Sequence, residues 1–279
     1  MIDEDQVLDY FRTRPNYTVE TRQARYGNKD TGVYFLFEMH EGEPKSPDSS
    51  YSVAFNLNFF RPSYFVHEAE REVTACVRHF SWVVLDPQIH GMGEGEYQSD
   101  KLISGWNHGN EFAYRAILEK PESRKNLLTL PTDRLDAIWR WNYDRSKLQE
   151  EVGDTKFVPR ISLVLVEGRL STTIVWTDGI PMVFPPIDYV IVYRQELAPR
   201  RLLKRTPDFA LLSWRDTLAL LEPYMLKYSG RAFSLNYTRA PEKVSAAVRS
   251  LEAMTLRPEF VAMDAVLDSE LVEKTLRTR

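Results

Sequence analysis

The sequence predicts an α+β protein built from two related halves, and three observations carry that expectation. Residues 54–86 lie over residues 232–264 without a gap, with eleven identities that include Phe55/Phe233, Leu57/Leu235, Asn58/Asn236, Arg61/Arg239 and Asp86/Asp264. A repeat of this kind bears on architecture before it bears on activity. Within the first copy, alternation at Val53, Phe55, Leu57 and Phe59 gives way to helical spacing at Phe65, Val66, Ala69, Val73, Cys76 and Val77, the pattern of a strand followed by a helix. A hairpin pattern precedes each copy. Together these predict two α/β-sandwich halves with mostly antiparallel sheets, ferredoxin-like or a similar split β-α-β arrangement. The expected domains are 1–120 and 132–279, with 121–131 as linker.

The elements follow in order. Asp3 starts an acidic-capped helix through Phe11 that ends before Pro15. Tyr17–Tyr26 reads as one strand, Asn28–Gly32 as a turn and Val33–Glu41 as a second strand. Gly42–Ser50 is a loop, Tyr51–Phe60 a third strand, Pro62 and Ser63 open a helix, and Trp82–Leu85 is a short buried strand. A glycine-rich loop spans 87–98. Ser99 then opens a helix to Leu118 that Gly105 and Gly109 should weaken. The second half starts with a helix over 132–151. Val158–Val166 and Leu170–Trp176 form a hairpin about Glu167-Gly168. Ile187–Arg194, following Pro185-Pro186, reads as an edge strand. A basic loop over 198–207 and a mostly helical stretch over 211–228 lead into the second copy: strand 231–237, helix 241–254 and strand 260–267. A last helix is capped by Asp268.

Charge and cysteine content narrow the function classes. The 36 basic and 40 acidic residues give a net charge of −4, which gives no overall attraction to a phosphate backbone, so nucleic acid is disfavoured as a partner. The basic run Arg194, Arg200, Arg201, Lys204, Arg205 is the local exception. No apolar stretch is long enough to span a bilayer, and the acidic N-terminus lacks a signal-peptide pattern. A single cysteine, Cys76, permits no intrachain disulfide. Because Met254 replaces it in the second copy, it reads as a core residue. The expected location is the cytoplasm.

Candidate sites lie where the two halves differ. The stretch 86–111 gathers Asp86, His90, His108 and Glu111 between glycines. Imidazoles and carboxylates in that company are a candidate metal set, and His108 and Glu111 share a helix face. The same stretch holds Trp106, Asn107, His108, Asn110 and Glu111, a dense mix of aromatic and hydrogen-bonding groups that reads as a binding surface. Arg61, Asp86, Arg239 and Asp264 recur in both copies, which favours structural roles for them. His40, His67 and His79 read as surface residues. No P-loop, HExxH, CxxC or GxSxG pattern occurs.

These observations lean away from an enzyme. They lead to an expectation of a noncatalytic, cytoplasmic binding protein with a protein partner and no cofactor, an adaptor or a toxin-neutralising protein of the immunity type. The alternatives are a metal-dependent hydrolase using the 86–111 stretch and a small-molecule binder with its ligand between the halves.

Overall fold

A computed structural model describes residues 3–40, 52–201, 204–230, 232–255 and 258–277. Expectations at Glu41, Gly42–Ser50, Tyr51, Arg231 and Arg257, and for the side chains of Arg200, Arg201, Lys204 and Arg205, lie outside the described residues. The chain forms two compact units, Met1–Asp136 with Asp264–Arg279, and Ala137–Met263. It is a mixed α+β protein whose sheets are mostly antiparallel.

The first unit begins with helix α1 (Glu4–Arg12), whose N-terminus is capped by the Asp3 carboxylate accepting from the backbone N–H of Asp5. The expected single strand over 17–26 is instead a hairpin, β1 (Tyr17–Glu20) and β2 (Gln23–Gly27). Its turn contains no glycine, and Arg22 takes a positive φ of 64° there. This is why residue patterning passes over it. Strand β3 (Tyr34–Met39) and strand β4 (Val53–Asn56) complete a four-stranded antiparallel meander. Helix α2 (Tyr64–Phe80) buries Phe65, Val66, Ala69, Val73, Cys76 and Val77, the stripe that the sequence predicts. On the same helix Glu68 is fully buried. One of its carboxylate oxygens accepts from Tyr26 Oη (2.7 Å), Asn28 Nδ2 (2.8 Å) and Thr31 Oγ1 (3.1 Å). That network pins the β2–β3 turn to the helix and satisfies a carboxylate that could not otherwise stay buried.

Strand β5 (Val84–Asp86), near the short strand expected at Trp82–Leu85, pairs with β6 (Gly93–Gly95), which lies inside the expected 87–98 loop. Helix α3 (Ser99–Leu118) runs uninterrupted. The expected linker carries a 3-10 turn at Pro121–Arg124 and strand β7 (Leu128–Leu130). Helix α4 (Thr132–Val152) follows.

The second unit is organised around a five-stranded sheet. Its strands are β8 (Ser162–Val166), β9 (Arg169–Thr177), β11 (Tyr189–Arg194), β14 (Asp208–Ser213) and β17 (Glu259–Val261), in the order β14-β11-β9-β8-β17. Positive φ at both Glu167 and Gly168 makes the β8–β9 hairpin turn. Strand β10 (Val183–Phe184) pairs with β16 (Phe233–Leu235), which also pairs with β15 (Met225–Lys227). β12 (Arg200–Arg201) and β13 (Lys204–Arg205) pair as a separate ribbon. β11 is central and not an edge strand, because it starts at Tyr189, beyond the two prolines, and buries Val190, Ile191 and Val192. The expected helix over 211–228 shrinks to α5 (Trp214–Leu221), with β14 before it and β15 after it. Helix α6 (Glu242–Ser250) ends before Met254.

Strand β18 (Val266–Asp268) and helix α7 (Ser269–Arg277) return to the first unit, where β18 pairs in parallel with β7. Asp268 does more than precede α7. Its buried carboxylate accepts from the backbone N–H (2.9 Å) and Oγ (2.7 Å) of Ser63 at the start of α2. Glu270 likewise accepts from the N–H (3.0 Å) and Oγ1 (2.9 Å) of Thr132 at the start of α4.

The two repeat copies both read strand–helix–strand. In each, however, the two strands fall in different sheets: β4 with β3 but β5 with β6, and β16 with β10 and β15 but β17 with β8. Neither copy is therefore a β-α-β unit of one sheet, as a ferredoxin-like half would require. Among the described residues the parallel pairs are β9–β11 and β7–β18.

Candidate functional site

The separation of β4 from β5 leaves space between them. A cavity of about 660 Å³ lies in the first unit, walled by residues 52–57, residues 81–88, Val73 and Val77 of α2, and Leu102 and Trp106 of α3. That volume falls in the range of ligand pockets. Among the described residues Asp86 is the one acidic or basic side chain of the lining, and burial pushes the lining Tyr97 hydroxyl up to about 12.

One wall is a strand edge that has no partner strand among the described residues. The His40 N–H donates to Ser52 O (2.9 Å), and the Met39 N–H donates to Arg22 O (2.8 Å) on the other side of β3. Glu38 lies opposite Ala54, and Leu36 opposite Asn56. Antiparallel alternation then turns the backbone groups of Ser52, Ala54 and Asn56 toward β3, and those of Val53 and Phe55 away from it. β4 is the last strand of its sheet. The Phe55 side chain packs against Phe37 (ring centroids 5.2 Å) and Phe35 (5.6 Å), anchoring the strand.

The glycines of α3 serve close approach. A Cβ at Gly109 would stand 2.5 Å from the Phe59 ring, and one at Gly105 would stand 3.1 Å from His90 O. Both neighbours can therefore lie against the helix, and this replaces the expected weakening of the helix by a packing role. The buried stripe of α3 is Trp106, Asn110, Tyr114 and Leu118, at strict four-residue spacing. Trp106 lines the cavity and is only 4 % exposed, and its indole N–H has no acceptor among the described residues.

The predicted binding residues therefore do not share a surface. Trp106 and Asn110 are buried, whereas Asn107 and His108 are exposed on another face. Asn110 clamps the chain entering α2: its Oδ1 accepts from Arg61 N–H (3.2 Å), and its Nδ2 donates to Arg61 O (2.9 Å). Tyr114 Oη also donates to Arg61 O (3.2 Å), its proton held by burial and by the nearby Asp268 carboxylate. The Arg61 side chain donates to Tyr34 Oη and to Phe60 O. Asp86 accepts from Gln88 N–H (3.2 Å), a turn role. Arg239 is exposed, and Asp264 sits in a 3-10 turn.

The candidate metal set is only partly assembled. The His90 and His108 rings meet at 3.7 Å between centroids. Glu111 is engaged elsewhere, by Lys274 (2.8 Å) and Arg115, whose hydrogen bonds hold its carboxyl below the usual range. Among the described residues no three His, Cys, Asp or Glu side chains converge to hold a metal ion. Cys76 is buried, and desolvation pushes its thiol up to about 12, so it stays protonated and unreactive. Arg194 leaves the expected basic run altogether. It is fully buried and binds Asp208 through two hydrogen bonds (2.7 and 2.8 Å).

No protein-family model, curated protein or solved structure matches this chain. Among the described residues no helix is long and apolar enough to cross a membrane.

Proposed function

We propose that this is a noncatalytic binding protein whose ligand occupies the cavity between β4 and β5. The observation that carries this reading is an apolar, ligand-sized space walled by residues 52–57 and 81–88, with Trp106 of α3 in its lining. The walls supply burial for apolar groups at about 25 cal/mol per Å², while the outward backbone groups of Val53 and Phe55 supply orientation.

Titration with Nile red, an apolar dye that carries a carbonyl, tests the reading. One dye should bind per chain, with a blue-shifted emission and quenched tryptophan fluorescence. Absence of saturable binding, or binding that cavity-wall substitutions such as Leu57→Glu leave unchanged, would overturn it.

A further inference from the structure

We propose that the natural occupant of this cavity is an extended peptide segment, apolar at alternate positions and carrying lysine or arginine, added as a strand to the free edge of β4. This inference rests on the preceding reading that the cavity is the ligand site, and it names the ligand's chemistry.

Three observations point to a strand and not to a compact small molecule. Val53 and Phe55 turn their backbone groups away from β3, and β4 is the edge of its sheet. An incoming strand satisfies such groups in series, the mode by which exposed sheet edges recognise peptides. Two stretches of the lining are runs of consecutive residues, 52–57 and 81–88. Six residues span about 20 Å at about 3.3 Å each, a length that suits an extended chain. The edge is also apolar, without the charges or proline by which unpartnered edges are usually protected.

Charge selects the occupant further. Residues 52–60 carry no charged side chain, and residues 81–98 carry Asp86, Glu94 and Glu96 with no lysine or arginine. Asp86 lines the cavity. Glu96 lines the adjoining depression, where Arg78 of α2 is the basic counterpart. Glu96 and Arg78 offset each other, so the unmatched charged residue of the lining, among the described residues, is Asp86, which a cationic residue beside the apolar positions complements.

The probe is a pool of acetylated, amidated heptapeptides, Lys-X-Thr-X-Thr-X-Lys, with each X valine, leucine or phenylalanine in all combinations. It is titrated against the whole protein and read by tryptophan fluorescence and calorimetry, with Nile red in parallel. The best member should compete with the dye. N-methylation of its backbone at alternate residues, made in both registers, should weaken it at least tenfold in one register or both. Exchange of its lysines for glutamates should also cost at least tenfold. Val53→Pro removes the outward N–H while sparing the β3 ladder, a position where an edge strand tolerates proline. This variant should keep its melting temperature but lose the peptide at least tenfold. Dye binding without peptide binding, or peptide binding indifferent to N-methylation, overturns the strand inference and leaves the cavity reading standing. Failure of both dye and peptide to bind overturns both.

Discussion

Arg194 shows how much one side chain can carry. Its guanidinium binds Asp208 at two points and donates to the carbonyls of Val248 (3.1 Å), Arg249 (3.2 Å) and Leu251 (2.8 Å). Those carbonyls belong to the C-terminal end of α6 and the residue after it, where a helix leaves acceptors without internal partners. A planar fork with five donors meets this geometry, and an ammonium does not. Arg194→Ala strands a carboxylate and several carbonyls, and urea denaturation should show a loss of about 3–5 kcal/mol. Arg194→Lys should recover only part of that. Asn110 is a smaller case of the same logic, a buried amide whose two ends fit one backbone N–H and one backbone C=O. In both residues the polar type signals a surface role in the sequence, whereas the structure uses it to satisfy backbone groups in the core.

At the scale of elements, α3 and α7 are joined by Glu111, which binds Lys274 of α7 and Arg115 of its own helix. These bonds lower the carboxyl pKa in the folded protein. A depressed folded pKa contributes stability above the unfolded value of about 4.3. The contribution is lost as pH falls through the folded value. Both cations are more than half exposed, so solvent screening limits the contribution to about 1 kcal/mol or less. Glu111→Gln should therefore lower the melting temperature slightly at pH 7 in low salt. The difference from the unsubstituted protein should shrink in high salt, and it should vanish as the pH is taken down through the lowered carboxyl pKa. The apolar contact of α3 with β18 and α7, Tyr114 and Leu118 with Leu267 and Val272, persists at every pH.

For the whole molecule, the C-terminal segment matters most to the first unit. Asp268 caps α2 across a separation of 205 residues, Glu270 caps α4, and β18 pairs with β7. Asp268→Ala should cost about 1–3 kcal/mol by leaving the Ser63 donors and Tyr114 with fewer partners. Truncation after Met263 should bring the first unit to protease sensitivity at ambient temperature, as shown by limited proteolysis with fragment mapping. Much of this molecule was legible in its residues. The stripe of α2, the helix over α4, the hairpin at Glu167-Gly168, the Asp3 cap and the α+β class follow from periodicity and turn chemistry, which act over a few residues. The buried face of α3 was legible too, in the four-residue spacing of Trp106, Asn110, Tyr114 and Leu118, although the mixture of polar and aromatic types around it suggested an exposed surface. Sheet membership was not legible, because a strand's own pattern does not say which edge it will find. The repeated stretch supplies a strand, a helix and a strand in both copies, yet tertiary pairing sends the two strands of each copy to different sheets. The separation of β4 from β5, and with it the cavity and the free backbone of Val53 and Phe55, was decided there. Local side-chain preference sets element type; non-local hydrogen bonding and burial set which edges are left open.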